Sequence, residues 1–336
     1  MTTHFKFLTV LAAGSLFAAG AAGAAPFLTE SFNYGNLTPS GGGYQDMSGQ
    51  NGGTGFQGGW VTSYVNTAGP NSTYTNTGLT FGNEGVGGAA YSGMPDLGNG
   101  NGEWSLFSRQ LNVTATGTVY GSYIFNATSA PYSGVADMVI GNEDSTDGGP
   151  IALGAQEYGS GTSGVANAWK AGSRISGHTA TVTGPTLTNN TTYKYLFQLG
   201  NVGGTSGPET INSWILTAAQ YNTFATAGQL NEAALNAATT GTAAGDVTEI
   251  LSNSYTPSTY GSITPTSWLT FYVFNASKVA ASKVMFDEVA MSQVSLADAT
   301  TAAAAVPEPA PVAVMGLGLL AVGLLLRRRS SHRSVA

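Results

Sequence analysis

The chain has no cysteine in its 336 residues, which excludes a disulfide framework and thiol chemistry alike. Charge is scarce too, at 9% of residues. Residues 25–309 hold six basic side chains (Arg109, Lys170, Arg174, Lys194, Lys278 and Lys283) against 18 acidic ones. That is a formal charge of −12, against −7 for the whole chain. No basic patch can form to neutralise phosphates, so nucleic acid is excluded as a partner. His178 is the single histidine of this region. One imidazole without cysteines cannot complete a zinc site. No serine has glycine two places before and two places after it, so the hydrolase nucleophile elbow is absent. No glycine-rich loop runs into Lys-Ser or Lys-Thr, so no P-loop is present either.

Glycine is abundant, at 47 residues. Asn, Ser and Thr are common, and long-chain helix formers are few. Short apolar segments between glycine-rich turns predict strands at 27–32, 78–81, 104–111, 118–125, 136–140, 193–199, 211–216, 268–274 and 284–291. Tyr193, Tyr195, Phe197 and Leu199 alternate with other residues, which predicts a half-buried strand. Both faces are apolar in Trp268-Leu269-Thr270-Phe271-Tyr272-Val273-Phe274, which predicts an inner strand. Residues 217–238 have helical spacing broken by Gly228, which predicts two short helices. Residues 41–59 are too glycine-rich to bury themselves and are expected to form a loop pinned by Tyr44, Phe56 and Trp60. The expected class is all-β, a jelly-roll β-sandwich with a short helical excursion.

Both ends read as addresses. Lys6 precedes an apolar run at 7–22, and Ala22-Gly23-Ala24 supplies the small residues a signal peptidase reads. Residues 1–24 are therefore expected to be a signal peptide cut after Ala24. At the other end stands Val306-Pro307-Glu308-Pro309-Ala310-Pro311, then the uncharged run 312–326, then Arg327-Arg328-Arg329. A helix over 310–326 rises ~25 Å. A bilayer core is ~30 Å thick, and flanking arginines can snorkel to make up the difference. Arginines after the span stay cytoplasmic, so the body lies outside. The expected organisation is a sandwich at 25–298, a linker at 299–311, a transmembrane helix at 312–326 and a basic tail at 327–336.

These three C-terminal parts, in this order, resemble the PEP-CTERM sorting signal of Gram-negative bacteria. The resemblance implies that an exosortase-type membrane protease cuts near Pro307-Glu308-Pro309. The body would then be released, or passed to the cell surface or extracellular matrix. A plain tail anchor that is never cut is the alternative. A second resemblance lies at the two ends of the body. Phe27-Leu28-Thr29-Glu30-Ser31-Phe32-Asn33-Tyr34-Gly35, then Asn51-Gly52-Gly53-Thr54-Gly55-Phe56 and Gly59-Trp60, look like the opening of concanavalin A-like jelly-roll domains. Val284-Met285-Phe286-Asp287-Glu288-Val289-Ala290-Met291 looks like their closing strand. That resemblance implies first and last strands side by side in one sheet.

The candidate sites are few. The paired-carboxylate strand of glycosidases with this fold has no match. Asp287 and Glu288 are adjacent on a predicted strand, so their side chains are expected on opposite faces. An acid and a nucleophile must share one face, ~5 Å or ~6.5–9.5 Å apart. A structural role at a sheet edge is expected for the pair. Asn142, Asp144 and Asp147 form an acidic turn with the hard oxygen ligands Ca²⁺ takes, though not in EF-hand spacing. No other cofactor is indicated. Trp169, Tyr44 and Trp60 are the aromatics offered as glycan platforms. The expected function is a non-enzymatic exported protein of the surface or matrix, with exopolysaccharide or another glycan as ligand. A secreted glycosidase or lyase, and a purely structural anchored protein, are the alternatives.

Overall fold

A computed structural model describes residues 25–34, 45–65, 72–75, 78–82, 89–94, 103–127, 134–141, 151–157, 169–175, 187–205, 209–238, 248–255, 262–275 and 282–300. The first strands are β1 (Leu28–Glu30), β2 (Gln45–Asp46), β3 (Phe56–Val65), β4 (Ser72–Thr75) and β5 (Ala89–Met94). Next come β6 (Glu103–Leu111), β7 (Gly117–Ala127), β8 (Gly134–Gly141), β9 (Ile151–Glu157) and β10 (Trp169–Ile175). Then follow β11 (Thr192–Val202), β12 (Glu209–Leu216), α1 (Ala218–Thr226) and α2 (Glu232–Ala238). The last strands are β13 (Thr248–Tyr255), β14 (Trp268–Asn275) and β15 (Ser282–Ser292).

The strands form two antiparallel sheets, an arrangement consistent with a jelly roll. The larger runs β13-β12-β11-β7-β15-β5-β4-β2, with β1 also paired to β15; the smaller runs β10-β9-β8-β14-β6-β3. First and last strands are neighbours, as expected, with Leu28 opposite Met291. β14 is an inner strand between β6 and β8, also as expected.

Alternation fills the space between the sheets. Phe125 and Tyr123 of β7, Phe271 of β14 and Phe286 of β15 all point into one core. Phe271 lies 4.6 Å from Phe286 and 5.0 Å from Phe107, between ring centroids. Tyr123 stacks on Tyr195 at 5.3 Å. Buried phenols need partners. Tyr123 donates to the Leu153 carbonyl on the facing sheet at 2.7 Å, and Tyr195 meets Ser213 Oγ at 3.1 Å.

A second core covers the outer face of the larger sheet. Ile124, Leu196, Trp214 and Leu216 meet Tyr221 and Leu235 of the helices, with Leu79, Phe81 and Leu296. The half-buried strand expected at 193–199 is therefore buried on both faces, Lys194 included. Its ammonium sits 4.7 Å above the Tyr221 ring and donates to the Thr300 carbonyl at 3.2 Å. The helices end where the sequence says. Thr217 and Gln220 form a reciprocal capping box on α1. Gly228, at φ 65°, takes the left-handed turn after it.

Three expectations need correction. The loop expected at 41–59 contains β2 and the start of β3, so Phe56 and Trp60 are strand residues. Residues 78–81 form no strand; Leu79 and Phe81 lie against the second core instead. Linker 299–311 begins late, because Ala299 and Thr300 are buried and the Ala299 carbonyl accepts from Ser122 Oγ at 2.7 Å.

Candidate functional site

The opening motif builds a buried clasp. Phe27 N–H donates to the Met291 carbonyl at 2.9 Å, which seats β1 along β15. Thr29 and Thr54 exchange backbone hydrogen bonds on the other edge of β1, at 3.1 and 2.8 Å. Gly53 and Gly55 carry positive φ there, and a Cβ at Gly55 would lie 2.5 Å from the Phe27 carbonyl. Only glycine lets this strip lie so close. Glu30 then reaches Arg109 of the facing sheet, with Oε2 2.9 Å from Nη1 and both side chains at 2% exposure or less. Phe32 N–H and Tyr34 O–H also donate to this carboxylate, at 2.8 and 2.9 Å. Arg109 donates onward to the Gly58 and Gly52 carbonyls, at 2.9 and 2.6 Å, and to Asn51 Oδ1. Its guanidinium lies 4.5 Å from the centre of the Phe56 ring. Burial raises the Glu30 carboxyl above its ordinary value, and these donors offset part of the rise.

Trp60 belongs to this clasp and offers no platform for a sugar. It is 1% exposed, its ring stacks on Phe32 at 5.6 Å, and its indole N–H donates to Tyr34 at 2.6 Å.

Asp287 and Glu288 depart from simple alternation. Glu288 has φ 48° and is the extra residue of a bulge, where pairing with β7 shifts between Asp287 and Ala290. The bulge divides β15. Residues before it pair with β5, and residues after it pair with β1. The pair thus lies inside the sheet and not at an edge. Asp287 accepts from Leu79 N–H at 2.8 Å and Glu288 N–H at 2.9 Å. Burial, then the charge of Glu288, push its carboxyl up to about 8. Both residues are buried, so neither meets solvent as an acid or a nucleophile.

Sequence reasoning missed the outer face of the smaller sheet. Leu269, Phe271 and Val273 of β14 point into the core, so Trp268, Thr270 and Tyr272 face away from it. Tyr272 stands opposite Asp137 on β8, which stands opposite Gly154 on β9. A Cβ at Gly154 would come 2.8 Å from Asp137 Oδ1, so glycine there leaves room for the carboxylate. Thr270 and Ser108 share a hydrogen bond of 2.9 Å. These groups are buried, but the face opens toward one end of the sheet. There Trp268 and Gln110 are half-buried and Gln57 is exposed. The three are successive partners across β14, β6 and β3, with Gly141 of β8 on the far side of Trp268. A signal existed in the alternation Trp268, Thr270, Tyr272, which a fully apolar inner strand would not show.

Other candidates lie outside the described residues. These are Tyr44, the acidic turn of Asn142, Asp144 and Asp147, the cleavage residues Ala22 and Ala24, and the sorting residues Val306, Pro307, Glu308, Pro309, Arg327, Arg328 and Arg329. Trp169 opens the edge strand β10, and its side chain is likewise not described. Among the described residues no helix is long and apolar enough to cross a membrane, and no acidic or histidine cluster could hold a metal.

No family model and no curated protein matches the chain. Solved structures similar to it include the alginate lyase Aly36B, at 11% identity and a TM-score of 0.35, covering 81% of this chain and 99% of that one. Cellulose induced protein Cip1 matches at 12% identity and a TM-score of 0.38, covering 69% and 90%. The carbohydrate recognition domain of Emp47p matches at 6% identity and a TM-score of 0.36, covering 79% and 94%. At these TM-scores the likenesses carry no weight for the activity of this chain.

Proposed function

We propose that this chain is an exported, non-enzymatic β-sandwich of the concanavalin A-like jelly-roll type in a Gram-negative bacterium. It is delivered by its signal peptide and held briefly in the inner membrane. An exosortase-type protease then sorts it to the cell surface or extracellular matrix, where it binds glycan. The carrying observation is the sequence of parts near the C-terminus: Val306-Pro307-Glu308-Pro309, the apolar run 312–326, and Arg327-Arg328-Arg329. The body supports this reading through its spacing. Thr300 is the last described residue and is fixed on the sheet through Lys194. Seven residue steps separate Thr300 from Pro307, so the cut site lies at most about 25 Å from the sandwich. The prolines keep the cut site out of a helix.

The test is mass spectrometry of the native protein. The expected product ends near Pro307-Glu308-Pro309 and lacks residues 312–336, and Glu308→Ala retains them. An intact arginine-rich C-terminal peptide on the native surface protein overturns the sorting reading.

A further inference from the structure

We propose that Gln57, Gln110 and Trp268 form the binding row for an uncharged glycan chain. This rests on the glycan-binding reading above and names its site and ligand class. Neighbouring strands are ~4.8 Å apart, so the row spans about 10 Å, the length of two linked pyranose rings. An indole offers a flat apolar face to sugar C–H groups, while its edge stays polar. Primary amides donate and accept, which suits vicinal hydroxyls. Gly141, the β8 partner of Trp268, contributes no side chain beside the ring.

The row is also held in place before any ligand arrives. Gln110 Nε2 donates to the Pro265 carbonyl at 2.9 Å. Pro265 belongs to a turn closed by Ser267 N–H to the Thr264 carbonyl at 2.8 Å and by Thr264 N–H to Ser267 Oγ at 3.0 Å. Leu111 N–H donates to the Ser267 carbonyl at 2.8 Å, which ties this turn to β6. Trp268 and Gln110 are thus fixed to one another through backbone, which lowers the ordering cost of binding.

The charge pattern selects the ligand. No member of the row is charged. Arg109, on the same strand as Gln110, is committed to Glu30 in the interior. Lys170 and Arg174 lie on β10, three strands from β14 and further from the amides. The net charge of −12 over residues 25–309 repels polyanions at long range. A neutral glucan fits this surface and a uronate polymer does not.

The experiment is isothermal titration of the full chain, purified in a detergent without a sugar headgroup. The probes are cellohexaose, laminarihexaose and an alginate hexamer. At least one neutral probe binds and the alginate hexamer does not. Trp268→Ala weakens binding tenfold or more, Gln110→Ala weakens it several-fold, and Val294→Ala, at an exposed position outside the row, leaves it unchanged. Should Trp268→Ala fail to fold, Trp268→Phe with Gln57→Ala reads the same row. Undiminished binding in the row variants overturns the site while leaving glycan binding in place. Binding of alginate alone overturns the ligand class. No binding of any probe by the wild type overturns the glycan reading itself.

Discussion

The Glu30–Arg109 clasp makes the sharpest prediction about stability. Arg109→Met keeps the length and apolar stem of the side chain and removes the guanidinium. Lost with it are the 2.9 Å ion pair, donors to two carbonyls and to Asn51, and the contact with the Phe56 ring. Glu30 is left buried with neutral donors such as Phe32 N–H and Tyr34 O–H, and without its cation. Removing one partner from a buried pair costs about 3–5 kcal/mol, because the other charge stays uncompensated. The pair is shielded from water, so this figure is not reduced to the small value of a surface bridge. Urea denaturation of the full chain at pH 7 measures it. The double variant Glu30→Gln with Arg109→Met should cost less than the sum of its parts, by about 0.5–3 kcal/mol. Moderate salt should change none of these differences, since screening acts on exposed charges. The Arg109 variant should also be cut faster by protease within 49–59, the strip that Arg109 holds down. The reasoning is refuted if Arg109→Met unfolds within about 0.5 kcal/mol of wild type, the range of inert surface changes.

Phe286→Ala should cost about 3–5 kcal/mol by thermal melt, as Phe286 touches Phe271, Phe107 and Tyr123 at the centre of the core. Asp287→Asn should cost about 1–3 kcal/mol at pH 5, because one of two buried N–H donors loses its acceptor. The Asp287 carboxyl is raised from 3.8 to about 8, so the folded state holds its proton longer than the unfolded chain. Wild-type stability should therefore fall as pH rises from about 4 to 8, and Asp287→Asn should flatten that slope in melts across this range. Glu308→Ala should leave residues 312–336 attached in mass spectra of the cell-surface fraction. Finally, the purified protein should release no reducing ends from common β-glucans; release abolished by a single carboxylate substitution would show it to be an enzyme.

How much of this was legible depended on whether a strand obeyed alternation. β7 and the inner face of β11 could be read because large apolar residues recur at every second place, and β14 because both its faces are apolar. The outer face of β11 could not. Leu196 and Lys194 become buried only when α1 and residues 293–300 fold over them, and period-two reasoning does not see the covering layer. β9, β10 and β13 escaped notice for another reason. Ile151-Ala152-Leu153-Gly154-Ala155 carries little bulk, so its place in a sheet is set by its neighbours. The clasp was half visible: the opening motif was singled out, but no local pattern joins Glu30 to an arginine 79 residues on.

The closing strand holds the more general lesson. Val284, Phe286 and Met291 all lie in the core, yet Val284 and Met291 are an odd number of residues apart. Strict alternation cannot put both on one face. The contradiction was present in the sequence, and an inserted residue resolves it. Glu288 is that residue, twisted to positive φ, and Val289 regains the inward face one step late. The cost of holding a non-glycine residue there is of order 1–3 kcal/mol. It is offset by what the bulge permits: β15 serves β5 with one half and β1 with the other, while Asp287 is held by Leu79 and by the Glu288 amide. Two adjacent acids interrupting an apolar strand therefore point to a break in register before they point to catalysis. A glycine insertion that restored two-fold phase after Asp287 would separate these readings. It should unseat β1 and expose residues 27–32 to proteolysis, whereas a catalytic pair alone would leave that strand in place.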